Sequence, residues 1–321
     1  MSEDILLIPS GNGLGHARRL VAVYNQFQLQ GVSCSILLSE KQNKLCSDEM
    51  TNSKAGKVII SDLKFGLDGP FTNAIVSAPS DALIKRFSAA RAIISDNVLW
   101  PSKYNDNVFL HGHFSWIDYW KQAHLIPPLE FQTELESKPW KNIRGWFKTS
   151  FLSFPETILE VNQFPMPLIR YCSDDKFLGY ERRWDEAWVS VGTTGDPEFS
   201  KTDILEMISK NMVLRYLETF QFHYKRVLPG IVIGRPGAGT LRDCLSSNTL
   251  FISNFEGSLD PELRNNWAIM KKEGLSSPDL NMSISQFKRA SSKYEQVWPH
   301  ISAPIEEYVD RMLSIISEVA S

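Results

Sequence analysis

Short apolar runs alternate with polar, glycine-marked breaks along the first third of the chain. Ile5 to Ile8 reads as a buried strand, and the turn Ser10-Gly11-Asn12-Gly13-Leu14-Gly15-His16 follows it. Leu20, Val23, Tyr24 and Phe27 then recur at helical spacing to about Gln30, where Gly31 supplies a stop. Val32 to Leu38, Lys57 to Ser61, Ala92 to Asp96 and Val108 to His111 read as further strands, with a helix over 81–91. Strands separated by helices predict a parallel α/β sheet. Phe114, Trp116, Tyr119 and Trp120 follow on another predicted helix, as an aromatic wall for an acceptor or as ordinary core. Residues 125–155 are the least regular part and read as loop.

The pattern restarts in the second half. Ala187 to Val191 is a strand ending in Gly192-Thr193-Thr194-Gly195-Asp196, and helices are predicted over 202–219. Ile231 to Ile233 is the next strand. It runs into Gly234-Arg235-Pro236-Gly237-Ala238-Gly239-Thr240, after which Leu241, Cys244 and Leu245 share one helical face. Thr249 to Ser253 is a strand, Pro261 opens a helix to about Glu273, and Ile305 to Val319 is a final helix carrying Tyr308, Met312, Ile315 and Ile316. The expected architecture is α/β with two Rossmann-like domains, 1–165 and 166–321, the last helix being able to pack back on the first domain.

A chain of 321 residues is long for one core and comfortable for two. A net charge of −3, from 34 basic and 37 acidic residues, argues against a nucleic-acid partner. Cys34, Cys46, Cys172 and Cys244 are far apart and form no CxxC pair, which disfavours zinc and fits a reducing cytoplasm. The N-terminus lacks the layout of a signal peptide, and no apolar run reaches the roughly 18–20 residues of a membrane span. Trp140, Trp146 and Phe147 lie among Lys138, Lys141, Arg144 and Lys148. That mixture suits peripheral contact at the inner membrane face, or a packed loop with a charged rim.

The glycine-rich turns carry the candidate chemistry. A strand, a glycine turn and a helix start make an anion cradle, because the first N–H groups of the helix are open and its dipole favours negative charge. In the first turn a histidine stands where a dinucleotide fold wants its third small residue. With Glu40 ending the second strand, an NAD site is an alternative reading of this turn. His16 falls at the carboxyl edge of the sheet, as do Asp96, Asn97 and His111. An imidazole there is either a general base or a cap on the turn. Arg18 and Arg19 follow it, facing an anion or solvent.

Gly13-Leu14-Gly15-His16-Ala17-Arg18-Arg19 resembles the turn of the pseudaminic-pathway UDP-sugar hydrolase. Arg235-Pro236-Gly237-Ala238-Gly239-Thr240 with Asp243, then Asp260 and Asn266, resembles the donor-site motifs of the N-acetylglucosaminyltransferase that makes lipid II. Both belong to the GT-B glycosyltransferase branch, whose two Rossmann-like domains face each other across a cleft. The resemblance implies a nucleotide-sugar donor, UDP-linked by expectation, held in the second domain by Gly192, Thr193, Thr194, Arg235, Gly237, Ala238, Gly239, Thr240, Asp243 and Glu262. It implies His16 as the catalytic base, with Gly13, Gly15, Arg19, Asp96, His111 and His113 around the acceptor. No cofactor and no metal are implied. Asp243 stands in for a longer glutamate, and Glu262-Leu263 for paired glutamines, so no donor sugar carries over. The leading expectation is transfer of a sugar to a glycan, lipid-linked or protein acceptor in cell-surface synthesis. UDP-sugar hydrolysis and NAD binding are the alternatives.

Overall fold

The computed structural model describes residues 4–11, 14–50, 56–61, 79–124, 136, 138–170, 179–190, 212–217, 227–253, 260–276 and 283–320. The chain divides into two compact units: residues 1–171 together with 303–321, and residues 172–302.

The first unit is built on a seven-stranded, wholly parallel sheet. Its strands are β1 (Ile5–Ile8), β2 (Cys34–Leu38), β3 (Gly56–Ile60), β4 (Ala92–Asp96), β5 (Val108–Gly112), β6 (Ile143–Thr149) and β7 (Gln163–Met166), in the order β3-β2-β1-β4-β5-β6-β7. The order reverses between β1 and β4, the crevice where open α/β sheets bind ligands. α1 (Leu14–Leu29) buries Leu20, Val23, Tyr24 and Phe27 against one face, as its spacing predicts. α2 (Glu40–Cys46) is started by a capping box of Ser39 and Gln42, and α3 (Asp81–Ala89) is capped by Ser80. α4 (Trp116–Gln122) is capped by Ser115, and its Asp118 accepts from Thr157 Oγ1 and the Ile158 N–H, tying down the chain beyond β6. Short strand β8 (Leu168–Arg170) pairs with β13 (Ser302–Pro304), where the chain re-enters this unit.

Two expectations change here. Residues 143–149 are not loop but the strand β6, in parallel register between β5 and β7. Its alternating Arg144 and Lys148 disguise a strand whose Trp146 and Phe147 are buried on opposite faces. With Trp140 also buried, these three aromatics belong to the core rather than to an exposed face; residues 125–135 and 137 of the segment read as a membrane contact lie outside the described residues. Phe114, Trp116 and Trp120 are core as well, packed with Trp100 and Phe154. Among the described residues no helix is long and apolar enough to cross a membrane.

The second unit carries β9 (Glu181–Ser190), β10 (Val213–Leu217), β11 (Val227–Gly234) and β12 (Leu250–Ile252), all parallel, in the order β10-β9-β11-β12. Residues 213–217 were expected to be helical. They are the strand β10, because Val213-Leu214-Arg215-Tyr216-Leu217 gains a full parallel ladder along β9. Of the rest of that helical expectation, 202–211 and 218–219 lie outside the described residues. Gly234 is needed for close approach: a Cβ there would sit 2.7 Å from the Ser190 carbonyl oxygen. α5 (Ala238–Ser246) and α6 (Pro261–Lys272) follow β11 and β12. α7 (Ile284–Ile301) packs on the sheet through Phe287 and Tyr294, and was not foreseen in the hydrophobic pattern. α8 (Ile305–Ala320) returns to the first unit and lies against α1.

Candidate functional site

Asp96 ends β4 beside the switch point and is completely buried. A bare carboxylate there would be untenable, since an isolated buried charge costs several kcal/mol. Four donors meet it. Arg19, one turn into α1, forks onto it through Nε to Oδ2 at 2.9 Å and Nη2 to Oδ1 at 2.7 Å. His16 Nδ1 lies 2.8 Å from Oδ1, and His111 Nδ1, from β5, 3.0 Å from Oδ2. Burial would raise the Asp96 carboxyl, but Arg19, His16 and the bond from His111 together hold it well below the usual range. It is therefore a carboxylate at neutral pH, and both imidazoles must donate to it.

That requirement assigns tautomers. His16 carries its proton on Nδ1, which leaves Nε2 as the basic nitrogen; Nε2 makes no hydrogen bond among the described residues. The Arg19 Nη2 approach to His16 Nδ1, 3.1 Å, is then a contact between two donors sharing Oδ1. His113 Nδ1, 3.1 Å from Arg19 Nη1, accepts, since a guanidinium only donates. Phe114 and Trp116 flank the His16 ring at 6.3 Å between centroids. Burial pushes the His111 imidazole down against the pull of Asp96, so it stays neutral. Two backbone features close the seat. Asn97 follows Asp96 with φ +64°, and Gly112 has φ +118°, where a Cβ would fall 2.1 Å from Asn97 Oδ1.

His16, Arg19, Asp96, His111 and His113 are thus brought together in the first unit. Gly15 is exposed on α1, with open space before its Cα, and Gly13 lies outside the described residues. Arg18 is buried, not solvated, and the anion it meets is the chain's own Glu49 carboxylate at 2.9 Å. Glu40 is the exposed first residue of α2. One residue escaped the sequence reading. Tyr308 of α8 places its hydroxyl 2.7 Å from His111 Nε2.

In the second unit, Gly237 caps α5 without any side-chain bond, and the first helical bond runs from the Leu241 N–H to the Gly237 carbonyl at 3.0 Å. The N–H groups of Ala238, Gly239 and Thr240 consequently have no acceptor inside the helix. All three residues and Gly237 are half-buried, with open space before both glycines. Asp243 is buried and accepts from Arg242 Nη2 at 2.9 Å. Asp260 caps α6, accepting from the Glu262 and Leu263 N–H groups, and stands 3.5 Å from Arg235 Nη2. Burial and then the neighbouring Glu262 raise its carboxyl to about 6. Asn266 is wholly buried and donates to the Pro236 carbonyl at 2.9 Å, tying α6 to the glycine turn. Gly192, Thr193 and Thr194 lie outside the described residues. Among the described residues no group of three or more His, Cys, Asp or Glu side chains is placed to hold a metal ion.

No family model matches the chain, and no curated protein does. Solved structures do. LpCGTa in complex with UDP superposes with a TM-score of 0.63 at 10% identity, covering 98% of this chain and 99% of that one. UGT2 of Phytolacca americana, complexed with UDP-2-fluoro-glucose and pterostilbene, gives 0.61 at 12% identity over 99% of both chains. The spinosyn forosaminyltransferase SpnP gives 0.61 at 11% over 99% of this chain and 100% of that one. At such identities the likeness is one of fold, and it extends over both units. The chain has the GT-B fold of the glycosyltransferases, an α/β architecture of two Rossmann-like domains.

Proposed function

We propose that this protein is a glycosyltransferase that moves a sugar from a nucleotide-sugar, UDP-linked by preference, to a hydroxyl acceptor, with His16 as general base. The observation that carries the reading is the His16–Asp96 pair: an imidazole held by a saturated carboxylate, with its basic Nε2 turned away from it. In the reaction, the acceptor O–H gives its proton to Nε2 while its oxygen bonds the anomeric carbon. The bond from that carbon to the phosphate oxygen breaks, and the nucleoside diphosphate leaves. Asp96 orients His16 and stabilises the imidazolium without taking the proton, since its own carboxyl is held too acidic. The open start of α5 receives the leaving diphosphate, and Asp243 bonds the ribose.

The fold comparisons support transfer, because neighbours named as transferases share both units. The acceptor domain is the first unit and the donor domain the second. Acceptor bulk has lost its support, since the aromatic wall is core; a cell-surface glycan or lipid-linked acceptor is the working class. The reading needs no metal and a cytoplasmic setting. Thermal melting with UDP, GDP, CMP, dTDP and NAD in separate wells tests it. A shift with UDP alone, followed by acceptor-dependent release of UDP from its sugars, is expected. Release that ignores the acceptor would make the protein a hydrolase, and a shift with NAD alone would end the transferase reading.

A further inference from the structure

The geometry points to Asn97 as a positioning residue for His16: its amide, pinned at the nitrogen end by two carbonyls, holds its oxygen against the His16 Nδ1–H and so steadies the charge that His16 gains on taking the acceptor proton. This rests on the reading of His16 as the base. Asn97 is buried and follows Asp96 in the left-handed region, φ +64°, which asparagine adopts more readily than most residues. Its backbone is held on both sides, the N–H donating to the His111 carbonyl at 3.0 Å and the carbonyl accepting from the Trp116 N–H at 3.4 Å. The side-chain arm beside Gly112 lies 2.7 Å from the Phe114 carbonyl oxygen and 3.0 Å from that of His111. Carbonyls only accept, and oxygen on that arm would face two oxygens, so the arm is the NH2 group and donates to both. The amide oxygen is then the arm turned to His16 Nδ1, 3.4 Å away. The main bond of that N–H goes to Asp96 Oδ1 at 2.8 Å, and the Asn97 oxygen acts on it as a fixed dipole. The dipole matters because the same nitrogen has a cation beside it. Arg19 Nη2 stands 3.1 Å from Nδ1 and opposes a positive imidazole, and the negative end of the amide offsets that opposition. A dipole fixed beforehand and aimed at where charge develops needs no reorganisation when the proton moves. With both amide protons engaged, Asn97 cannot turn over without setting oxygen against two carbonyls.

The test uses the full-length protein labelled with ¹⁵N-histidine. Asn97→Gly keeps the left-handed backbone and removes the amide. It should move the His16 ring signals and leave those of His300, which is exposed on α7. With the donor and acceptor that the UDP-release assay identifies, kcat should fall about three- to tenfold with the donor KM within about twofold, less than the loss of a directly bonded oxyanion donor costs. In a His16→Ala background the same substitution should cost nothing further in kcat, because it acts through His16. Unchanged His16 signals in Asn97→Gly overturn the inference. An equal loss of kcat in the His16→Ala background overturns it too, since it would mark a residue that only supports the fold. Should Asn97→Gly fail to fold, neutron diffraction from deuterated wild-type crystals decides. Amide deuterons directed at the Phe114 and His111 carbonyls support the inference, and amide deuterons directed at His16 overturn it. Moved signals with unchanged kcat remove the positioning role and leave the transferase reading standing. Moved signals in a protein that transfers no sugar overturn that reading and leave the pairing of Asn97 with His16.

Discussion

Asp96 and the glycine turn at Gly234–Thr240 occupy matching places in their sheets, each at the carboxyl end of the strand just across the switch point. Their chemistry is opposite. The first place is closed: a buried carboxylate whose every acceptor site is taken. The second is open: a helix start capped by a glycine, whose first three N–H groups have no acceptor inside the helix. If the proposed function holds, the place that must orient a base is locked by internal bonds, and the place that receives an anion keeps the donors of its helix start out of the helix.

Breaking the closed site should cost most. Asp96→Ala leaves the half-buried Arg19 and the buried His111 without their carboxylate, and is expected to lose about 3–5 kcal/mol in urea unfolding together with all turnover. A loss under about 1 kcal/mol would mean Arg19 finds water and the seat is looser than the geometry shows. His16→Ala spares the fold and should lower kcat by about 10²–10⁴-fold while UDP affinity stays within twofold. Normal turnover by that variant removes His16 from the mechanism. At the open site the expected effect is smaller. Asp243→Ala should weaken UDP binding by about 1–3 kcal/mol in calorimetry; equal affinity would show that the ribose lies elsewhere.

The smallest effect separates the two sites by sign. Asp96 has a depressed carboxyl, so its contribution to stability is present above the unfolded value of 3.8 and is lost as pH falls through the lower folded value. Asp260 has a raised one, about 6 against 3.8, so the folded state holds the extra proton and stability declines as pH rises between those values. Melting curves at pH 4 and pH 7 should therefore show wild type losing ground to Asp260→Asn on going up. Parallel curves would remove the raised carboxyl.

Much of the closed site was legible. Apolar runs mark where strands stop, and the residues at the stops, His16 after β1, Asp96 at the end of β4 and His111 on β5, share one edge. Which of them touch was not legible, because bond partners 80 and 77 residues apart have no local signal. Tyr308 was harder still: at helical spacing it reads as one more core position, and only its hydroxyl sets it apart from the neighbouring Val309 and Met312. The misreadings share a cause. β6 and β10 interleave Arg or Lys with apolar residues, and a strand stabilised by its neighbours' ladders needs no clean alternation of its own. The open site was plain in outline, since three glycines and a proline around a helix start admit few conformations.

The return of α8 also has a consequence for how the protein is made. The first unit is discontinuous, and its sheet face under Tyr308, Val309, Met312 and Ile316 stays uncovered until the ribosome has passed the whole second unit. The sheet can form early from near neighbours, but its last partner arrives some 130 residues later, at the high contact-order end of folding. A nascent chain halted between the units would expose apolar surface and leave His111 Nε2 without the Tyr308 hydroxyl. The hydrophobic face of the first unit is thereby closed only after the whole second unit has been made.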